Sequence, residues 1–229
     1  MLNKIRILIN LIINIFNKSW KYFQKSYSQE GEDLILDNFF KNKKNGFYID
    51  IGACHPFRFS NTYFFYKKGW RGINIDATPG SMRLFNKHRP RDINIEVGIG
   101  NSNINLKYYI FNEPALNSFS TAISHERSEN TPYKLENIIQ LKTKKLFEVL
   151  DKHMPVDIPI DFMSIDVEMF EYQVVVSNNW SKYKPKYLLV ELIETKIDDF
   201  KNNKTYKFLT KNKYFLVAVT GRTVIFKQK

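Results

Sequence analysis

Cysteine occurs once in the 229 residues, at Cys54. A lone thiol excludes an internal disulfide framework and fits a reducing compartment, so a cytoplasmic location is expected. No run of about 20 uninterrupted apolar residues is present, so no segment reads as a membrane-spanning helix. No internal repeat or low-complexity linker divides the chain, whose length suits one sizeable domain. The most informative absence is a pattern of glycines. The apolar run Phe47–Ile51 ends in Asp50-Ile51-Gly52, as the first strand of a nucleotide-binding unit would. The further glycines of G-x-G-x-x-G do not follow, and His55-Pro56 stand in their place. Those glycines let a pyrophosphate approach the backbone and a helix N-terminus. A ligand without phosphates needs only one such approach, which Gly52 supplies.

What is present describes a globular chain, with 43% hydrophobic and 15% aromatic residues. The formal charge of +12 suits an anionic partner such as lipid, a phosphorylated substrate or nucleic acid. Spread over a solvated surface, the same charge is only a bias of composition. The opening MLNKIRILINLIINIFN has neither the clean apolar middle nor the small-residue cleavage site of a signal peptide. Asn3, Asn10, Asn14 and Asn17 recur at helical spacing, which gives one polar stripe on an apolar helix, flanked by Lys4, Arg6, Lys18 and Lys21. Two readings follow: peripheral contact with the inner face of a membrane through residues 1–20, or packing on protein. Residues 1–26 are therefore set apart as an extension, and residues 27–229 as the main domain.

Beyond residue 45 strands and helices alternate. Strands are expected at Phe47–Ile51, Gly72–Asp76 and Ile93–Val97, with an additional edge strand at Asn105–Phe111. Between them come helices at Asn61–Lys68, N-capped by Ser60, and Gly80–His88, with Pro79 in its first turn. Residues 112–133 have no convincing period and read as a long loop. A short strand near Ile138–Leu141, a helix at 145–152 and a strand at 162–166 follow. Then come helix 170–178, strand Lys186–Leu192, helix 198–210, and strands 214–219 and 223–227 joined by the turn Thr220-Gly221-Arg222. This is an α/β chain with a mostly parallel sheet and a C-terminal antiparallel hairpin.

In such sheets the ligand lies beyond the carboxyl ends of the strands. Asp76 ends the second strand 24 residues after Gly52, near the offset of an acid that accepts ribose hydroxyls. A nucleoside cofactor without phosphates points to S-adenosylmethionine. Four ordered segments, YSQEGEDLIL (27–36), FYIDIGACHPFRFSNTYFFYKKGWRGINIDATP (47–79), NEPALNSFS (112–120) and IDFMSIDVEMFE (160–171), resemble the FkbM family of S-adenosylmethionine-dependent methyltransferases. The resemblance implies a class I, Rossmann-like fold with a seven-stranded sheet. It also implies O-methyl transfer, often to a sugar hydroxyl of a glycan or glycoconjugate.

Carried onto this chain, it assigns Asp50 and Gly52 to the methionine end of the cofactor, Asp76 to the ribose, and Val97 and Gly98 to the adenine. Gln29, Ala53 and Asn61 complete the cofactor set, and Phe57, Arg58, Asn117, Ser118 and Glu168 face the acceptor. Many members have Asn where this chain has Cys54, Gly where it has Met169, and Glu-Pro-x-Pro where it has Asp76-Ala77-Thr78-Pro79.

A sugar hydroxyl must lose a proton as it takes a methyl group, so a base or a metal is needed. His55 is the first candidate base, a backbone-capping histidine being the alternative, and Asp166 at the end of its strand would orient the acceptor. Glu168 and Glu171 also suit a helix start electrostatically. Asp166 and Glu191 end neighbouring strands and could share a divalent cation, which is not the favoured reading. His88, His125 and His153 show no ligand spacing. No RNA-binding motif supports a nucleic-acid substrate. A nucleic-acid methyltransferase and a non-catalytic glycan-binding protein remain as alternatives.

Overall fold

A computed structural model describes residues 5–13, 22–41, 43–193 and 197–229. Seven strands form the main sheet: β1 (Phe47–Ile51), β2 (Arg71–Asp76), β3 (Ile93–Glu96), β7 (Phe162–Ile165), β8 (Tyr187–Glu191), β9 (Tyr214–Val219) and β10 (Thr223–Gln228). Their spatial order is β3-β2-β1-β7-β8-β10-β9. β1 pairs in parallel with both β2 and β7, while β10 runs antiparallel to β8 and β9. The chain steps outward from β1 in both directions, so the strand order reverses between β1 and β7. This is where open α/β sheets place their ligand.

The strands are apolar on both sides because both faces of the sheet are covered. Phe47, Ile49 and Ile51 of β1 pack with Met163, Ile165, Leu188 and Val190 under helices Leu146–His153, Glu171–Val176 and Lys204–Lys211. Tyr48, one residue out of phase, joins Phe162, Leu189 and Ile225 under helices Glu32–Phe39 and Tyr63–Lys67. The period of two thus divides one strand between two cores.

The expected helix after Ser60 is shorter, at Tyr63–Lys67, but Ser60 Oγ still accepts the Tyr63 N–H at 3.1 Å. The helix expected over 198–210 is split into a 3₁₀ turn, Ile197–Asn202, and helix Lys204–Lys211. Asn203 makes the break, its side chain accepting the Thr205 N–H at 2.8 Å as an N-cap.

Two expectations need correction. Strand β5 (Asn105–Phe111) is no edge of the main sheet. It pairs antiparallel with a ten-residue β6 (Leu135–Lys144), far longer than the short strand expected, and β4 (Gly98–Ile99) joins β6 to complete a second, three-stranded sheet. The stretch read as a long loop contains helix Thr121–Asn130. That helix is polar almost all round, so hydrophobic periodicity could not reveal it. It is fixed instead by polar bonds, such as Arg127 Nη1 to the Leu116 carbonyl at 2.8 Å. Within the N-terminal segment, residues 5–13 are helical, as expected; Asn3, Lys4, Asn14, Asn17, Lys18 and Lys21 lie outside the described residues.

Gly52 holds the sheet together at its switch point. Its φ is +82°, and a Cβ there would overlap the carbonyl oxygen of Asp166. Gly52→Ala should therefore cost at least about 2 kcal/mol, from strain plus separation of the two strand ends. Urea unfolding followed by circular dichroism measures this, and a midpoint equal to the parent's would contradict it.

Candidate active site

The cavity is built from the ends of β1, β2 and β7. Asp166 N–H donates to the Ile51 carbonyl at 3.0 Å, and Gly52 N–H donates to the Ile75 carbonyl at 2.9 Å, which draws the three strand ends together. Above them lies a cleft of about 830 Å³, lined by Asp50, Gly52, Ala53, Asp76 and Val97 on one side and by Asp166 and Glu168 on another. Gln29, Asn117 and Ser118 also line it. Ten of the residues expected in the site thus meet in one cleft.

Asp76 is held before any ligand arrives. Oδ2 accepts the Cys54 N–H at 2.9 Å and Oδ1 accepts the Thr78 N–H at 2.8 Å. Burial raises its pKa while these two backbone donors oppose the rise. Asp50 is buried to the same degree and its pKa is pushed up to about 6, chiefly by desolvation; Thr62 Oγ1 donates to it at 2.8 Å. Cys54 is half-buried, and desolvation first, then the charges of Asp76 and Asp166, push its thiol up to about 12, so it is no nucleophile at neutral pH.

The remaining expected residues stand outside the lining. Asn61 is a strut whose Nδ2 donates to Ser164 Oγ at 3.0 Å. Gly98 lies in β4 against the Phe119 ring. Phe57 packs edge-on against His88 and Tyr63. Arg58 pairs with Glu113 at 2.8 Å, linking the loop after β1 to the segment after β5. His55 takes the backbone-capping arrangement. Its Nδ1 accepts two backbone N–H groups, from Phe57 at 3.2 Å and Arg58 at 3.1 Å. The ring proton is thereby placed on Nε2, which can only donate. Partial burial, then the charges of Arg58 and His88, lower its pKa further.

The acidic side is more heavily charged than the sequence suggested. Asp166, Glu168 and Glu191 each place a carboxylate oxygen within 4.8 Å of the others. Burial first, then the charges of Glu191 and Glu168, raise the Asp166 pKa well above the usual carboxylate range. Glu191 is raised as well, again chiefly by burial. Among the described residues its buried Oε2 has no hydrogen-bond donor, and a proton shared with Asp166 would satisfy it. Glu168 is paired with Arg127, and Arg222 lies 3.7 Å from Glu191. Two of three carboxylates thus face guanidinium groups, whose positive charge disfavours a divalent cation at this set.

Sequence reasoning passed over Tyr108 and Phe119, which also line the cleft. Tyr108 hydroxyl lies 2.9 Å from Thr78 Oγ1, and Asn117 Nδ2 donates to the same oxygen at 3.2 Å. Tyr108 lies on the strand expected at Asn105–Phe111 but was not singled out there, and Phe119 lies in the following segment, where no period gave a signal.

The model of the Methyltransferase FkbM domain matches residues 50–216, well over half of the chain. The chain belongs to the FkbM methyltransferase family. A search of the curated proteins finds no match. The family gives a physical reading of two departures noted above. Cys54 and Met169, where many FkbM members have Asn and Gly, both adopt left-handed backbone, with φ of 53° and 70°. Asn and Gly enter that region at least cost. This FkbM chain carries the strain at both positions, and Phe59 and Glu168 beside the cleft share it, each with φ of 55°.

Glu171 stabilises the strained turn after β7. Its Oε1 accepts the Val167 N–H at 3.2 Å and the Met169 N–H at 3.1 Å. Burial first, and the Asp166 charge with it, push its pKa from 4.5 up to about 8. A carboxyl raised on folding contributes stability that is full below its unfolded pKa and lost as pH rises through its folded one. Glu171→Gln keeps the acceptor and removes the charge. At about pH 9 the variant should be the more stable by at least about 1 kcal/mol, and the gap should close below pH 4.5. Thermal unfolding across that range measures it; a gap independent of pH would contradict the assignment.

Proposed function

We propose that the protein is an S-adenosylmethionine-dependent O-methyltransferase acting on a sugar hydroxyl of a glycan or glycoconjugate. The observation that carries the reading is the opposition of two acids across one cleft. Asp76, fixed by two backbone N–H groups, faces it from the β2 end; Asp166, fixed to β1, faces it from the β7 end. The donor set fits the cofactor: Asp76 retains acceptor capacity for ribose hydroxyls, and no phosphate-binding glycine loop competes. Asp50 and Gly52 would meet the amino-acid end, and Val97 with Ile99 the base. When bound, the cofactor supplies an electrophilic methyl group on a sulfonium.

The chain's own residues then manage the acceptor. The Asp166–Glu191 pair is the base, taking the hydroxyl proton at Asp166 while Glu191 shares it. Arg222 and Arg127 limit the negative charge that builds up as the pair ionises. Because a base works only when deprotonated, activity should rise with pH on the alkaline side of neutrality, where this raised pair loses its proton. His55 shapes the turn over the cleft and takes no proton.

Glycans extracted from cells with and without the gene should differ by the mass of one CH₂. Asp166→Asn should fail to restore that methyl, with kcat lowered roughly 10²–10⁴-fold, while His55→Asn, which keeps a backbone acceptor, should restore it. An active Asp166→Asn enzyme, or an inactive His55→Asn enzyme of native fold, would overturn the assignment of the base.

A further inference from the structure

The methyl-transfer site leaves the N-terminal helical segment unexplained. Seven aliphatic side chains between Ile5 and Ile13 are each 45–61% exposed, although removing such side chains from water is normally favourable. None is covered by the described part of the domain, so packing on the chain's own fold does not account for them. At about 100° per residue, Arg6 and Asn10 lie only about 40° apart, and the aliphatic residues occupy the rest of the circumference. No described helix is long and apolar enough to cross a membrane.

Charge selects the occupant. The first acidic residue of the chain is Glu30, whereas Lys4, Arg6, Lys18, Lys21 and Lys25 all precede it. Two copies meeting through this segment would bring these cations together. An anionic lipid surface instead attracts each of them and accepts the aliphatic face. The aromatic run Trp20, Tyr22 and Phe23 follows directly, with Tyr22 87% exposed; Trp and Tyr favour the boundary between headgroups and acyl chains.

We infer that residues 1–25 form a peripheral anchor that docks on an anionic phospholipid surface, its aliphatic face in the acyl boundary and its lysines among the headgroups. This rests on the exposed helix and its charges and is independent of the methyl-transfer reading.

Co-sedimentation of the full chain with phosphatidylcholine vesicles, with and without about 30% phosphatidylglycerol, tests it. Binding should be at least about tenfold stronger to the anionic vesicles and should weaken as salt rises from about 0.1 to about 0.5 M. Leu8→Glu combined with Ile12→Glu should reduce binding at least about tenfold, with native circular dichroism. Lys4→Gln combined with Arg6→Gln should lower it to a smaller degree. The inference is overturned if the Leu8/Ile12 variant binds as the parent does, or if the parent binds no vesicle. It is equally overturned if the parent sediments as a dimer that the same variant dissociates, since the occupant would then be a second copy.

Discussion

Two strand ends touch through a residue without a side chain, and the site depends on that contact. Gly52 turns away from β1 with a left-handed backbone and lies directly against the carbonyl of Asp166. Any larger residue would push the ends of β1 and β7 apart, and with them the two walls of the cleft. The sequence invites another use for this glycine, as the place where a ligand meets the backbone. Its first partner is the protein itself, and the ligand benefits indirectly, because Asp50, Asp76 and Asp166 are thereby held around one space.

The second constraint is electrostatic. The cleft collects carboxylates at strand ends, where desolvation and mutual repulsion raise their pKa values. The protein answers on each side differently. Asp76 receives two backbone N–H groups and is a fixed acceptor. Among the described residues Asp166 and Glu191 receive no comparable backbone donors, and guanidinium groups stand behind them. On the proposed reading one side binds and the other exchanges protons, a division that follows from the environment of each group.

Much of the main sheet was legible because its strands are short apolar runs bounded by Gly, Pro and Asp. One wall of the cleft was legible too, since Asp50, Gly52 and Asp76 sit at fixed places relative to strand ends. The second sheet was read poorly, and helix Thr121–Asn130 was missed, because its anchors are Arg127 and serine hydroxyls and not an apolar stripe. The acidic side was only half legible. Asp166 stood out at a strand end, but Glu168 joins it through a left-handed turn, and the arginines reach it from residues 127 and 222. Long-range polar contacts of this kind leave no local period. His55 is conspicuous beside the turn, and of its two expected readings the geometry matches the backbone-capping one.

The central claim is that Asp76 and Asp166 face one bound cofactor from opposite ends of the cleft. A crystal structure of the chain with S-adenosylhomocysteine tests it directly. The account predicts ribose hydroxyls donating to the Asp76 carboxylate, with the sulfur lying toward Asp166. A ligand bound elsewhere, or one whose ribose leaves Asp76 without contact, would contradict it.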